Sequence, residues 1–173
     1  IKFKALPIPR LEIHNVQINF ESSQIKSTVQ NLKIYPKILS IYNYNNFQTN
    51  KIILKDSNII LNTRDLRFLI KYILNKKEKF ILDQLNLVIN SKDRTIIKLE
   101  KIKFSNFGYN KNLISGDIYG KKFKIKIKKN LKYLNFKLSD IGINADINFQ
   151  ESNKKDLIIV TFKSKILNSR LRF

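Results

Sequence analysis

The sequence predicts a mainly β (α+β) fold: a strongly curved antiparallel β-sheet meander that forms an apolar groove and carries one or two short helices. Apolar and polar residues alternate with period two over most of the 173-residue chain, as in half-buried antiparallel strands. Turn-forming residues separate these runs at spacings of about 8–12 residues, which is typical of consecutive hairpins. About nine or ten strands, ~4.8 Å apart, would form a sheet roughly 45 Å wide, and sheets of that width curl or close.

The N-terminal third shows the alternation with interruptions. Residues 11–20 form one alternating run, and the irregularity at His14-Asn15 predicts a bulge. Residues 36–42 predict a short helical turn, because Pro36 suits a first helical turn. Residues 51–61 predict two strands that are joined near Asp56-Ser57.

One segment has helical spacing instead. In RDLRFLIKYILNKK, residues 64–77, the apolar positions recur every three or four residues and mark one face: Leu66, Leu69, Ile70, Ile73 and Leu74. Asn62 or Thr63 can cap this helix at its N-terminus. We expect its apolar face to pack on the sheet, because an isolated helix of this length is marginal in water.

The C-terminal half consists of regular alternating runs. In KKFKIKIKKN, residues 121–130, Phe123, Ile125 and Ile127 fall on one face and the interleaved lysines on the other. This spacing predicts a strand whose lysines face solvent. The same phase continues through Phe136, Leu138, Ile143 and Ile147, which we expect on one face of a continuous antiparallel sheet.

The chain is strongly basic, with 34 Lys and Arg against 13 Asp and Glu and a formal net charge of +21. Such a charge attracts nucleic acid or phospholipid head groups. Nearly all of it is lysine, whereas arginine is preferred for bidentate phosphate and base contacts. Lysine, asparagine and isoleucine are abundant together, as in A/T-biased genomes. The aromatic rings of Phe123, Phe136 and Phe149 lie on the phase opposite the lysines, so we consider nucleic acid an unlikely partner.

Groups that carry enzyme chemistry are sparse in the sequence. His14 is the only histidine and cysteine is absent, which excludes the common triads and thiolate zinc sites. The four glycines form no phosphate-binding loop. We therefore expect a protein that is not an enzyme and that has no cofactor, no metal and no catalytic residue.

The chain reads as a single β-groove domain over residues 1–173. It could be subdivided into an N-terminal β part (1–62), the helix (63–78) and a β meander (79–173). Because the sequence starts at Ile1 and contains no methionine, we expect a fragment or processed form. No apolar run approaches the ~20 residues of a membrane span.

Several stretches resemble the AsmA family of bacterial envelope proteins. The Pro7-Ile8-Pro9-Arg10-Leu11 segment is similar to the P-x-P-R-L motif that precedes an alternating strand in this family. Further stretches resemble the family's later strands and its leucine-bearing turn: 31–34, 36–40, 52–59, 99–104 and 113–118. The chain departs from the family in its few glycines, and Asn45-Asn46 stands where a glycine often follows the turn.

The resemblance implies a periplasmic protein, held at the inner membrane by an N-terminal segment absent from this chain. Such proteins act as bridge-like lipid conduits in outer-membrane and envelope lipid homeostasis. The implied partners are phospholipid, the envelope membranes and envelope proteins. The residues expected to line the lipid groove share the apolar phase: Leu85, Leu87, Ile89, Ile102, Phe104, Ile114, Ile118, Phe123, Ile125, Ile127, Leu134, Phe136, Leu138, Ile143, Ala145, Ile147 and Phe149.

Two alternatives stay open at the level of sequence. A basic β module could bind nucleic acid or an anionic membrane surface. A purely structural β domain could instead use its apolar face as a core packed beneath the helices near 36–42 and 64–77.

Overall fold

Twelve strands form one sheet in which each strand pairs with its neighbours in chain order. The computed structural model describes residues 1–19, 25–41, 45, 47–92, 94–128, 133–150, 157–163 and 168–172. The strands of this described part are β1 (Lys2–Lys4), β2 (Arg10–Asn19), β3 (Lys26–Pro36), β4 (Thr49–Asn62), β5 (Lys79–Ser91), β6 (Arg94–Ser105), β7 (Leu113–Ile118), β8 (Lys121–Lys128), β9 (Tyr133–Leu138), β10 (Ile143–Gln150), β11 (Leu157–Lys163) and β12 (Asn168–Arg172). The predicted mainly β fold is confirmed.

The sheet is mixed, so the prediction of a wholly antiparallel meander is wrong at one place. β4 and β5 pair in parallel from Lys51 opposite Lys79 to Asn62 opposite Asn90. Helix α1 (Thr63–Leu74) connects them. The helix carries the chain back across the sheet, so the next strand starts at the same end as the previous one, as parallel pairing requires. The sheet therefore continues past the helix that was considered as a subdivision.

A crease crosses β2 to β6, where each strand contains one extra residue. Asn15, Gln30, Asp56 and Gln84 form one row across β2 to β5, and Asn15, Asp56 and Gln84 adopt positive φ angles of 55°, 53° and 59°. In β6 the extra residue is Lys101 (φ 50°), which is displaced from this row because the register shifts on both sides of the Leu85–Ile102 pair. The apolar positions change parity here, for example from Ile52 and Leu54 to Ile59 and Leu61 in β4. Extra residues of this kind bend a strand and increase its twist, so the crease accounts for curvature in this part of the sheet.

The crease confirms one prediction and corrects another. Asn15 is the irregularity expected at His14-Asn15. Asp56, however, does not separate two strands, because β4 runs unbroken through it. Aspartate tolerates the left-handed region and is common in turns, so its position in the sequence looked like a turn.

The crease ends between β6 and β7, at Gly116. Glu100 pairs with Asp117 and Lys103 with Ser115, so two residues of β6 face the single Gly116. A Cβ atom at Gly116 would lie 2.8 Å from the carbonyl oxygen of Glu100. The side chain of Phe123, directly across in β8, fills the space above the glycine and is only 1% exposed.

Helix α1 packs on the middle of the sheet, as predicted. Leu69 is buried in one cluster with core residues of β4 to β6, and Leu66, Ile73 and Leu74 pack against that cluster. Asn62 occupies the N-cap position without a capping hydrogen bond from its side chain.

The other predicted helical turn does not cover the sheet. It is a 3₁₀ turn, Ile38–Ser40, and the side chains of Ile38 and Leu39 are exposed. A second 3₁₀ turn, Ser139–Ile141, joins β9 and β10. In the alternative of a purely structural domain, the core beneath the helices is therefore found at α1 and not at the turn near 36–42.

We predict that Gly116→Ala lowers the free energy of unfolding by about 1–3 kcal/mol, because the new methyl group meets backbone that cannot easily move. Ser115→Ala, one residue away on the opposite face, should change it by less than about 0.5 kcal/mol. Denaturant titrations of both variants make the comparison. Equal effects would show that the close approach at Gly116 is not a constraint.

Candidate lipid-binding face

The strand register places the apolar side chains on one continuous face. Residues directly opposite each other on neighbouring strands point to the same side of a sheet. The cross-strand pairs include Leu85 with Ile102, Phe104 with Ile114, Ile114 with Ile125, Ile125 with Phe136, Phe123 with Leu138, Ile127 with Leu134, Leu138 with Ile143, Phe136 with Ala145, and Leu134 with Ile147. This confirms that the residues predicted to share a face do share it. That they contact lipid stays a prediction.

Part of this face is a protein core. Eight of the predicted groove residues are buried: Leu85, Leu87, Ile89, Ile102, Phe104, Phe123, Ile127 and Ala145. The first six of these belong to one cluster with Leu69 of α1. On β5 and β6, helix and neighbouring strands therefore occupy the space in which the sequence predicted a groove.

The remaining predicted residues form what we call the open segment, on β7 to β10. Its side chains are half-buried: Ile114, Ile118, Ile125, Leu134, Phe136, Leu138, Ile143 and Ile147. α1 contacts β4 and β5, and the 3₁₀ turn Ser139–Ile141 contacts β8. Five of the open-segment side chains pack at the border of the core cluster that contains Leu69: Ile114, Ile118, Ile125, Phe136 and Leu138. The backbone of Phe149 lies in β10, and its side chain is outside the described part.

A second flank of the face was missed by sequence reasoning. On β2 and β3 the same face carries six further half-buried apolar residues: Leu11, Ile13, Val16, Ile18, Leu32 and Ile34. The alternation that would have revealed them is present, but the change of parity at the crease divides it into short pieces. The apolar face thus extends beyond α1 on both sides.

The lysines of β8 lie on the opposite face, as predicted. Lys122, Lys124, Lys126 and Lys128 are all exposed. Lys124 stands directly opposite Lys137 of β9. Like charges directly opposite each other destabilise a sheet, and exposure to water weakens their repulsion.

Glu12 is the most strongly perturbed carboxylate on that outer face. Its carboxylate oxygens lie 2.8 Å from Nε of Arg10, 2.9 Å from Nζ of Lys4 and 3.8 Å from Nζ of Lys33. Hydrogen bonds from Arg10 and then Lys4 lower the pKa of Glu12 from 4.5 to about 2. The cluster ties the edge strand β1 to β2, which is a structural role.

Other polar groups pair locally. Nδ1 of His14 lies 2.8 Å from the side-chain oxygen of Asn31. The hydroxyl of Tyr133 donates to the carboxylate of Asp146, and this bond raises the pKa of Tyr133.

Among the described residues there is no group of three or more His, Cys, Asp or Glu side chains placed to hold a metal ion. In the same part of the chain, no helix is long and apolar enough to cross a membrane.

Comparisons with protein-family models, curated proteins and solved structures found no match to this chain. The resemblance to the AsmA family therefore stays a prediction.

We predict that the carboxyl group of Glu12 titrates with a pKa of about 2, which an NMR pH titration can measure. Because the folded state lowers this pKa, the ionised Glu12 carboxylate stabilises the folded state fully above pH 4.5. This stabilisation is lost as the pH falls toward 2. Arg10→Gln should raise the pKa toward 4.5. Lys98→Gln, on a distant strand, should leave it unchanged. The same pKa for Glu12 in both variants would contradict the assignment.

Proposed function

We propose that this chain is a non-enzymatic, AsmA-like protein that binds or conducts phospholipid along its apolar face, with acyl chains on the open segment. The supporting observation is that, among the described residues, the apolar face is wider than α1, the helix that packs on it. On this proposal the protein works in the periplasm, attached to the inner membrane, in envelope lipid homeostasis.

The dimensions of the open segment suit an acyl chain. Four strands at ~4.8 Å spacing give a width of roughly 14 Å between the outer two, and six to eight residues per strand give a length of roughly 20–27 Å. Half-buried apolar side chains over an area of this size still expose apolar surface to water, which is costly, so they favour an apolar occupant. Acyl chains supply one without needing a fixed shape.

The chemistry of the segment also suits an acyl chain. The inward positions of β7, β9 and β10 that face one another are aliphatic or aromatic, with Gly116 and Ala145 as the small residues. The charged exception is Lys121, which starts β8 opposite Ile118 and is exposed. A cation at the end of an apolar surface suits a phosphate head group.

Nucleic acid binding is a second candidate, favoured by one feature of the outer face. Nζ of Lys51 lies 5.3 Å from the ring centroid of Tyr35 and 5.9 Å from that of Phe107, and Nζ of Lys79 lies 5.6 Å from Phe107. Aromatic rings and lysines therefore share a surface here, as they do on single-strand platforms. Binding to single-stranded DNA that weakens steeply with salt would support this function.

Ile125→Asp tests the lipid proposal, because Ile125 lies centrally between Ile114 and Phe136. Lys124→Asp is the matched control: the same carboxylate on the same strand, pointing to the other face. We expect phospholipid co-purifying with the first variant, measured by mass spectrometry of extracts, to fall at least tenfold. Desolvating a carboxylate costs more than the ~1.4 kcal/mol that corresponds to a factor of ten.

Two outcomes would contradict the proposal. If Lys124→Asp lost lipid and Ile125→Asp kept it, the working face would be the basic one. If the parent protein carried no lipid and Ile125→Asp unfolded it, the face would be a packed structural core.

Replacing Lys122, Lys124, Lys126 and Lys128 together by Gln should leave both lipid content and fold nearly unchanged.

A further inference from the structure

One end of the sheet forms a rim that is built from three segments: residues 6–9 before β2, residues 37–40 between β3 and β4, and residues 106–112 between β6 and β7. Strand pairing puts them at the same end, because Lys4 pairs with Arg10, Pro36 with Thr49, Lys51 with Lys79, and Ile81 with Ser105.

Large apolar side chains project from the rim into solvent. Leu39 is 91% exposed, Leu6 82%, Ile38 65% and Ile8 57%, while Tyr109 is fully exposed. Ile8, Ile38 and Leu39 line a single open depression of about 680 Å³. Isolated apolar residues on a surface are ordinary, but this group lies together on loops at one end, which is typical of an interaction site.

Hydrogen bonds brace the turn that carries Ile38 and Leu39. The backbone N–H of Lys37 donates to the carbonyl oxygen of Gln48 (2.8 Å). Nζ of Lys37 donates to the side-chain oxygen of the same glutamine (2.8 Å). The hydroxyl of Ser40 is within reach of the carbonyl oxygens of Lys37 (2.8 Å) and Gln48 (3.0 Å). Ile38 and Leu39 are thus presented outward by a braced turn.

The rim is also cationic. Residues 6–9, 37–40 and 106–112 contain no Asp or Glu, whereas Lys37 and Lys111 lie within them. The adjoining residues 75–78, whose backbone accepts hydrogen bonds from Asn106, carry two lysines and Glu78. Lys51, near the start of β4, and Lys79, at the start of β5, lie over the ring of Phe107. This arrangement matches the layers of an anionic bilayer surface. The aliphatic tips suit the acyl chains, the exposed tyrosine suits the interface, and the surrounding lysines suit the phosphates.

We propose that this rim docks on the surface of a bilayer that contains anionic phospholipid, with Ile38 and Leu39 inserted among the head groups. The lysines of the rim contact the phosphates. This docking does not require lipid on the open segment, so the two proposals can fail separately.

Vesicle flotation tests the docking with two matched pairs of substitutions. The rim variant is Ile38→Ser with Leu39→Ser. The control is Ile96→Ser with Ile141→Ser, which removes two half-exposed isoleucines from the opposite end of the sheet. With vesicles of equimolar phosphatidylcholine and phosphatidylglycerol, the rim variant should bind at least about tenfold more weakly than the parent, because each lost side chain contributes roughly that factor. The control should bind like the parent.

The chain contains no tryptophan, so a second measurement leaves the fold intact and reports insertion directly. Leu39→Trp should shift its emission to the blue when the same vesicles are added, and Tyr119→Trp, at the opposite end, should not. Equal binding by the rim variant and the parent, or equal shifts at both positions, would overturn the docking surface. Equal binding to vesicles of phosphatidylcholine alone would overturn its anionic preference. Ile125→Asp should still bind vesicles, which separates this test from that of the open segment.

Discussion

Register across the crease is the constraint on which the rest of the structure depends. Side chains alternate with period two, so a slip of one residue moves a strand's apolar set to the other face. Each of β2 to β6 contains one extra residue; those of β2 to β5 stand in one row and that of β6 lies close by, so the strands change parity together. The pairs on either side of the row, such as Leu54 with Leu82 and Ile59 with Leu87, stay on the same face.

The same row positions the helix and the open segment. The crease crosses β4 and β5, and Leu69 of α1 packs in one cluster with core residues of these strands. It ends at Gly116, where the absence of a side chain lets β6 contain one more residue than β7. β7 to β10 then continue as regular strands, while the main contacts of α1 are with β4 and β5. A folded core and an open apolar face can therefore share a single sheet.

The regular strands could be predicted from the sequence, because in β8 to β10 the alternation has no interruption. Phe123, Phe136 and Ile143 were assigned to one face from spacing alone. The crease could not be predicted in full, since Asp56 has the chemistry of a turn residue and its strand partners are distant in sequence. The parallel pairing of β4 with β5 was also missed, because periodicity reports which face a residue occupies and not the direction of the neighbouring strand. The rim was missed because the exposure of Ile38 and Leu39 depends on tertiary structure.

The most direct test of the central claim, that lipid occupies the apolar face and water the lysine face, uses the absence of cysteine. A fluorophore is attached after Ile125→Cys in one preparation and after Lys124→Cys in another. Each is mixed with phospholipid that bears a nitroxide quencher on its acyl chain. Quenching at position 125 that exceeds quenching at position 124 is the predicted result. Equal quenching at both positions, or stronger quenching at 124, would contradict the account.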